Sequence, residues 1–129
     1  TLVFLDENAR PGERILGRAV HPCTDLHGPE LLDHAVVPAA GDNARRHALL
    51  TTFPDRNVIS VVSRRAYVSG FATVGRGCFV GNHAHVGPEA VVGDGVTIGA
   101  DIVVGAGGVV TADLPDPGVY VGCPARRIR

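Results

Sequence analysis

An aliphatic residue recurs at every sixth position in the second half of the sequence, and this period constrains the fold more than any other feature. Successive hexads begin with Val62, Val68, Val74, Val80, Val86, Val92, Ile98, Val104 and Val110. A helical period of 3.6 residues would rotate these side chains around the axis, which excludes a single amphipathic helix. A simple strand of period two tolerates the spacing but does not explain the glycines between the aliphatic residues.

The other positions of the hexad are also restricted. The second position is mostly glycine, and the fifth is small or aliphatic, as Ala84 and Cys78 illustrate. A coil with flat sides of six residues and a tight bend between sides explains both restrictions. The first and fifth residues then point inward, and glycine lies at the bend, where a Cβ would be costly. Stacked coils pair backbone to backbone at about 4.8 Å. The sequence therefore predicts a β-solenoid over 59–115 and a tail over 116–129.

Residues 1–58 lack the six-residue period and have a mixed pattern. We expect strands at 2–5, 15–20 and 35–40, a helical turn at 25–32 and a helix at 44–52. Gly41, Asp42 and Asn43 precede the helix as a capping sequence. This order of strands and helices indicates a truncated Rossmann-like α/β segment.

Composition excludes several classes of function. The formal net charge of -1 argues against a nucleic-acid partner, because phosphate contacts need a basic surface. We expect no membrane span, since no run of 18 apolar residues is present. The three cysteines are odd in number and form no CxxC pair. This pattern argues against a disulfide framework and favours a location in the reducing cytoplasm.

The repeat and the segment after it resemble the hexapeptide-repeat acyltransferases. Gly105–Pro115 and Val121–Arg126 are similar to the closing segment of that family. The resemblance implies a left-handed parallel β-helix of three-sided coils, which associates into a homotrimer. It also implies acetyl-CoA as the co-substrate.

A second resemblance narrows the acceptor. Phe4–Asn8, Ile15–Gly17 and Gly41–Arg46 are similar to the amino-terminal domain of the sialic-acid and bacillosamine-type sugar acetyltransferases. This implies direct transfer of an acetyl group to the amine or hydroxyl of a sugar or nucleotide sugar. It also implies that Asp6 and Gly41 contact the acceptor, since an acidic strand end can hold ribose hydroxyls. The alternative is an ordinary strand end and helix cap.

Acetyl transfer from a thioester needs a base that takes the proton of the attacking amine or hydroxyl. His83 and His85 suit this role at neutral pH. They are two residues apart on a predicted strand, so we expect both side chains on the same side. We assign His83 as the catalytic base, and the resemblance implies that His85 contacts acetyl-CoA. The alternative is that both are polar residues at a solvated turn or a trimer interface.

The position of the family's usual base conflicts with this assignment. The resemblance implies a His in the third place of the preceding hexad with an acidic residue after it, whereas this sequence has Arg76 and Gly77. Arginine cannot act as a base near neutral pH. Either His83 substitutes for the base, or the chain is a catalytically degenerate repeat protein that serves as a binding or assembly module.

The resemblance also implies a set of cofactor contacts near the late coils. Ala106 matches the third-position residue of the family's late hexad, and Ala100 occupies the same place one hexad earlier. Gly122 and Arg126 are expected near phosphate or adenine, because arginine offers a fork to phosphate. For Arg126 the alternative is a solvated tail.

A zinc hydratase on the same kind of prism is a third hypothesis. Such a site needs three well-separated histidines as metal ligands. Because the repeats contain only the close pair His83 and His85, we expect no metal site.

Overall fold

The computed structural model describes residues 1–52 and 57–129. It divides the chain into two compact units, Thr1–His34 and Ala35–Arg129. The predicted helix therefore belongs to the same unit as the repeats. The domain boundaries expected after residues 58 and 115 stay predictions.

The first unit is a small three-stranded sheet. It contains β1 (Phe4–Asp6), β2 (Arg14–Ile15), β3 (Arg18–Pro22) and a short 3-10 helix (Cys23–His27). Strand β3 pairs in parallel with β1 and in antiparallel with β2. The single strand expected over 15–20 is wrong, because Leu16 and Gly17 adopt positive φ values of 48° and 74° and form a two-residue hairpin turn.

The second unit begins with an extended segment and one helix. Helix α1 (Asn43–Thr52) confirms the predicted helix, and the Asp42 side chain caps it by accepting the Arg45 N–H at 2.8 Å. The strand expected over 35–40 is wrong: Val36 makes only an isolated parallel bridge to Val58. Pro38 has no N–H to donate, which prevents a continuous ladder there. The Rossmann-like arrangement stays a prediction.

The repeats form short parallel strands that return to the same sheet after three hexads. They are β4 (Val61–Val62), β5 (Tyr67–Val68), β6 (Thr73–Val74), β7 (Phe79–Val80), β8 (His85–Val86), β9 (Val91–Val92), β10 (Thr97–Ile98), β11 (Ile102–Val104) and β12 (Val109–Val110). Three parallel sheets result, β4-β7-β10, β5-β8-β11 and β6-β9-β12. Tyr67 pairs with His85, and His85 with Val103, so one coil takes 18 residues. This confirms a three-sided stack of parallel strands, while its left-handed sense stays a prediction.

The interior of the prism follows the predicted register. The first-position residues from Val80 to Val110 are at most 1% exposed, and the fifth-position residues Cys78, Ala84 and Ala90 are buried beside them. Burying each such valine stabilises the fold by about 1.5–3 kcal/mol. The first coil is more open, since Val62 is 44% exposed.

Glycine at the second position allows the coils to stack closely. A Cβ on Gly81 would lie 2.8 Å from the backbone nitrogen of Ala100 in the next coil. A side chain there would push the coils apart and break their ladder. The expectation that a Cβ is costly at this position is confirmed, and the next coil is the reason.

The carboxyl-terminal segment closes the last coil. Strand β13 (Gly118–Val121) pairs in parallel with β11, and β14 (Arg126–Arg127) pairs in antiparallel with β13. Tyr120 and Ala125 join the hydrophobic core of the prism. In the part of the chain that the structure describes, no helix has both the length and the apolar character to cross a bilayer.

Candidate functional site

The fourth position of the hexad lies in the turn between two sides of the prism. From Gly77 to Gly107 this position has φ values between 56° and 68°, and it is occupied by Gly77, His83, Glu89, Gly95, Asp101 and Gly107. His83 therefore lies in a turn, whereas His85 lies on β8. The expectation that both occupy one strand is wrong, because the backbone leaves the extended conformation at His83.

Stacking of the coils brings His83 and Asp101 together. They occupy the same position in successive coils, and Nδ1 of His83 lies 3.2 Å from Oδ1 of Asp101. Their side chains are 58% and 63% exposed, so a small molecule can reach the imidazole. We name the turn column of Arg65, His83 and Asp101 the open corner.

Backbone and side-chain hydrogen bonds hold the open corner in register. The N–H of His83 donates to the carbonyl of Arg65 at 3.2 Å, and the N–H of Asp101 donates to that of Asn82 at 3.0 Å. The hydroxyl of Ser63 donates to Oδ1 of Asn82 at 2.6 Å. These bonds join all three coils, so the imidazole and the carboxylate extend from a rigid backbone.

His85 has a different environment from His83. Its ring stacks on the Tyr67 ring of the preceding coil, with centroids 4.8 Å apart and planes at 22°. Both side chains point away from the core and are exposed. The stack forms a flat apolar surface, and the role of His85 in binding acetyl-CoA stays a prediction.

The corner that carries Arg76 and Gly77 is covered. A Cβ on Gly77 would lie 2.8 Å from Cγ of Pro38 and 3.0 Å from Cδ2 of Leu50 on helix α1. Arg76 is exposed beside it, and its N–H donates to Oδ1 of Asp94 at 2.8 Å. A longer side chain at Gly77, such as the acidic partner of a base, would collide with the segment that packs there.

A buried guanidinium fixes this cover to the prism. Arg46 on α1 is 4% exposed, and its Nη2 donates to both carboxylate oxygens of Asp113. Its Nε donates to the carbonyl of Gly95 at 2.8 Å, and its Nη1 to those of Ala40 and Gly41 at 2.7 and 3.1 Å. We name the turn column of Gly77, Gly95 and Asp113 the closed corner.

The other predicted cofactor residues lie at the late coils. Ala100 and Ala106 occupy turns, directly above Gly81 and Gly87. Arg126 lies on β14 beside a pocket of about 210 Å³, whose wall also includes Thr111, Asp113, Tyr120 and Arg127. Gly122 has a φ of 93°, and its carbonyl accepts the N–H of Val109 at 2.9 Å. Their roles in cofactor binding stay predictions.

The predicted acceptor residues lie in different units. Asp6 ends β1, and its Oδ1 accepts the N–H of Asn8 at 2.7 Å. The carbonyl of Gly41 accepts a hydrogen bond from Arg46. Within residues 1–52 and 57–129, no group of three or more His, Cys, Asp or Glu side chains is placed to hold a metal ion.

Cys78 is a core residue of the closed-corner hexad. Burial raises the pKa of its thiol, and its Sγ lies 3.1 Å from the carbonyl oxygen of Gly93. Desolvation disfavours the thiolate, which is the reactive form of cysteine. This environment suits packing rather than nucleophilic chemistry.

Sequence reasoning did not identify Asp101, Arg46 or Asp113. A coil of 18 residues places Asp101 beside His83, so the spacing of three hexads contained the signal. Arg46 and Asp113 are 67 residues apart, and nothing in a repeat pattern pairs a helix residue with a turn.

Comparison with known proteins identifies the fold. No protein-family model matches the chain, and no curated protein matches it. The acetyltransferase domain of PglB from Neisseria gonorrhoeae superposes with a TM-score of 0.64 at 21% identity, over 98% of this chain and 86% of that one. The chain has the fold of that acetyltransferase domain. The resemblance to hexapeptide-repeat sugar acetyltransferases is thereby confirmed at the level of the fold.

Further solved structures carry ligands. The same PglB domain in complex with acetyl coenzyme A superposes with a TM-score of 0.50 at 20% identity, over 98% of this chain and 85% of that one. PerB from Caulobacter crescentus, in complex with CoA and GDP-perosamine, gives a TM-score of 0.47 at 26% identity, over 89% and 81% of the two chains.

Proposed function

We propose that the chain is an acetyl-CoA-dependent acetyltransferase that acts on the amine or hydroxyl of a sugar or nucleotide sugar. His83 is the general base. The observation that carries the proposal is the exposed contact of His83 with Asp101, on a fold that matches an acetyltransferase domain. An imidazole beside a carboxylate, open to solvent, suits a base that works at neutral pH.

The reaction is a direct transfer. The acceptor nitrogen or oxygen forms a bond to the carbonyl carbon of the thioester, and the carbon–sulfur bond breaks. The acceptor proton moves to Nε2 of His83, which then returns it to the departing thiolate of CoA. The products are the acetylated acceptor and CoA. Because a thiol ionises at about pH 8.5, the leaving group needs little acid assistance.

We propose that acetyl-CoA binds along the late coils. Ala100 and Ala106 present turns with small side chains, and Arg126 offers its guanidinium to a phosphate. His85 and Gly122 complete the set. The acetyl coenzyme A complex of the PglB domain supports this choice of co-substrate.

The sequence resemblance supports the acceptor and the assembly, and the cysteine pattern supports the location. The resemblance implies acceptor contacts at Asp6 and at Gly41, and the backbone at Gly41 has open space on its Cβ side. The protein is a homotrimer in the cytoplasm, and its prisms associate through their exposed sides. Tyr67, Phe79 and Val91 provide apolar surface on those sides.

The test of the proposed function uses the full chain and a panel of nucleotide-linked amino sugars. His83→Asn keeps a residue that tolerates positive φ and removes the base. We expect kcat to fall by about 10²- to 10⁴-fold while the Kd of CoA is unchanged. Glu89→Gln, at the equivalent position of the next corner, is the matched control. Equal turnover by His83→Asn and the wild type would overturn the assignment.

A second candidate function is a catalytically degenerate binding or assembly module. The observation that favours it is the covered Gly77 beside Arg76, where the family resemblance implies the base and its acidic partner. This candidate predicts no acetyl transfer to any acceptor in the panel. Tight CoA binding, measured by calorimetry, would count against it.

A further inference from the structure

We infer that Asp101 is a positioning residue, which fixes the ring orientation and the tautomer of His83 across two coils of the prism. The inference deepens the proposed function and rests on it. The hexad that contains His83 has no carboxylate of its own, and Asp101 lies 18 residues later in the sequence. The stacking of the coils creates the pair.

The open corner has an unusual backbone conformation. His83 and Asp101 have φ values of 58° and 56°, a conformation that three glycines adopt at the same position elsewhere in the prism and that Glu89 adopts at 59°. A residue with a Cβ in this region is disfavoured by about 1–2 kcal/mol. The open corner accepts this strain in two successive coils and thereby gains a contact between two functional groups. Strained residues of this kind are concentrated at functional sites.

The contact with Asp101 determines which ring nitrogen of His83 carries the proton. An ionised carboxylate has no proton to donate, so the contact between Oδ1 of Asp101 and Nδ1 of His83 requires the hydrogen on Nδ1. The neutral imidazole then has its lone pair on Nε2. A free imidazole can place its proton on either nitrogen, and Asp101 selects the form in which Nε2 can accept a proton from the acceptor.

The backbone that carries the Asp101 side chain is held by hydrogen bonds on two sides. The carbonyl of Asp101 accepts the N–H of Gly118 at 3.3 Å, and the N–H of Asp101 donates to Asn82. The backbone of Asp101 is therefore held from the coil below and from β13 above. A carboxylate with a fixed backbone restricts the imidazole rotamers more than a mobile surface residue would.

The experiment measures the tautomer directly and does not depend on turnover. Long-range ¹H–¹⁵N correlation spectra of the full chain are recorded for the wild type, Asp101→Asn and Glu89→Gln, at a pH where His83 is neutral. We expect the Nδ1–H form in the wild type and in Glu89→Gln. We expect a shift toward the Nε2–H form in Asp101→Asn, because an amide can donate to Nδ1 as well as accept from it, whereas a carboxylate can only accept. An unchanged tautomer in Asp101→Asn overturns the inference.

Kinetics provide the second readout. Asp101→Asn should lower kcat by about 10- to 100-fold with unchanged KM for the acceptor, which is less than the loss in a buried triad because this pair is exposed. Asp101→Glu should restore part of the rate, since Glu89 occupies the same turn position at a φ of 59°. A changed tautomer with full activity overturns the positioning role. If the wild type transfers no acetyl group, the proposed function fails, and the spectra still decide whether Asp101 selects the tautomer.

Discussion

The open and closed corners occupy equivalent positions of the same repeat, yet they have opposite environments. Each has an aspartate in its last coil, Asp101 in the open corner and Asp113 in the closed one. Asp113 is bound by the buried guanidinium of Arg46, whereas Asp101 contacts an exposed imidazole. The two aspartates share the fourth position of the hexad, and the segment over the closed corner decides which carboxylate has a buried partner and which is exposed.

The comparison also explains the conflict at Arg76. In this chain the helix and the segment before it pack on the closed corner, and Gly77 is required because Pro38 and Leu50 lie so near. A catalytic pair has no room there. The nearest exposed turn with a histidine and a carboxylate is the open corner, one third of a coil further along the chain.

The largest expected effect concerns the clamp on the closed corner. Arg46→Met removes the partner of the Asp113 carboxylate and of the carbonyls of Ala40, Gly41 and Gly95. We expect the free energy of unfolding to fall by about 3 kcal/mol, at the low end for a broken buried pair because Asp113 is partly exposed. Denaturant titration measures it. Arg64→Met, at an exposed arginine of the first coil, is the control and should change stability by about 0.5 kcal/mol or less. Similar losses in the two variants would contradict the clamp.

The second prediction compares two glycines with the same backbone conformation. Gly77 and Gly107 have φ values of 65° and 66°, but a Cβ on Gly107 meets nothing within 4 Å. Gly107→Ala should therefore lower the free energy of unfolding by about 1 kcal/mol, from backbone strain alone. Gly77→Ala should lower the free energy of unfolding by about 2 kcal/mol more than Gly107→Ala does, because its Cβ collides with Pro38 and Leu50. Equal losses in chemical unfolding would mean that the segment over the closed corner yields to a methyl group.

The third prediction uses the core cysteine of the closed-corner hexad. Because burial raises the pKa of the Cys78 thiol above that of an exposed cysteine, its contribution to stability is fully present below the unfolded-state pKa. That contribution is lost as pH rises through the folded-state pKa. The slope can reach about 1.4 kcal/mol per pH unit. Urea titrations between pH 8 and 11 should give a steeper loss for the wild type than for Cys78→Ala. Parallel curves would show that the native state does not favour the thiol.

The solenoid could be predicted from the sequence because one physical requirement fixes it. The first-position residues of the later coils, such as Val86 and Ile98, are buried, and a period of six with glycine after it allows this in a stack of flat sides. The hairpin at Leu16 was missed because an apolar residue at positive φ carries no turn signal. The chemistry of histidine alone makes His83 a candidate, whereas Asp101 becomes one only when the 18-residue repeat of the coils is known.

The smallest expected effect is a substitution that restores the family's residue at the closed corner. Arg76→His places an imidazole where the resemblance implies the base, but Gly77 provides no acidic partner and Pro38 and Leu50 occupy the space for one. In the His83→Asn background, the rate of acetyl transfer should therefore stay within about twofold, far below the gain that a working base provides. Single-turnover assays at saturating acetyl-CoA measure this rate. A recovery of about tenfold or more would mean that the closed corner opens in solution, and catalysis would then belong to the position that the family uses.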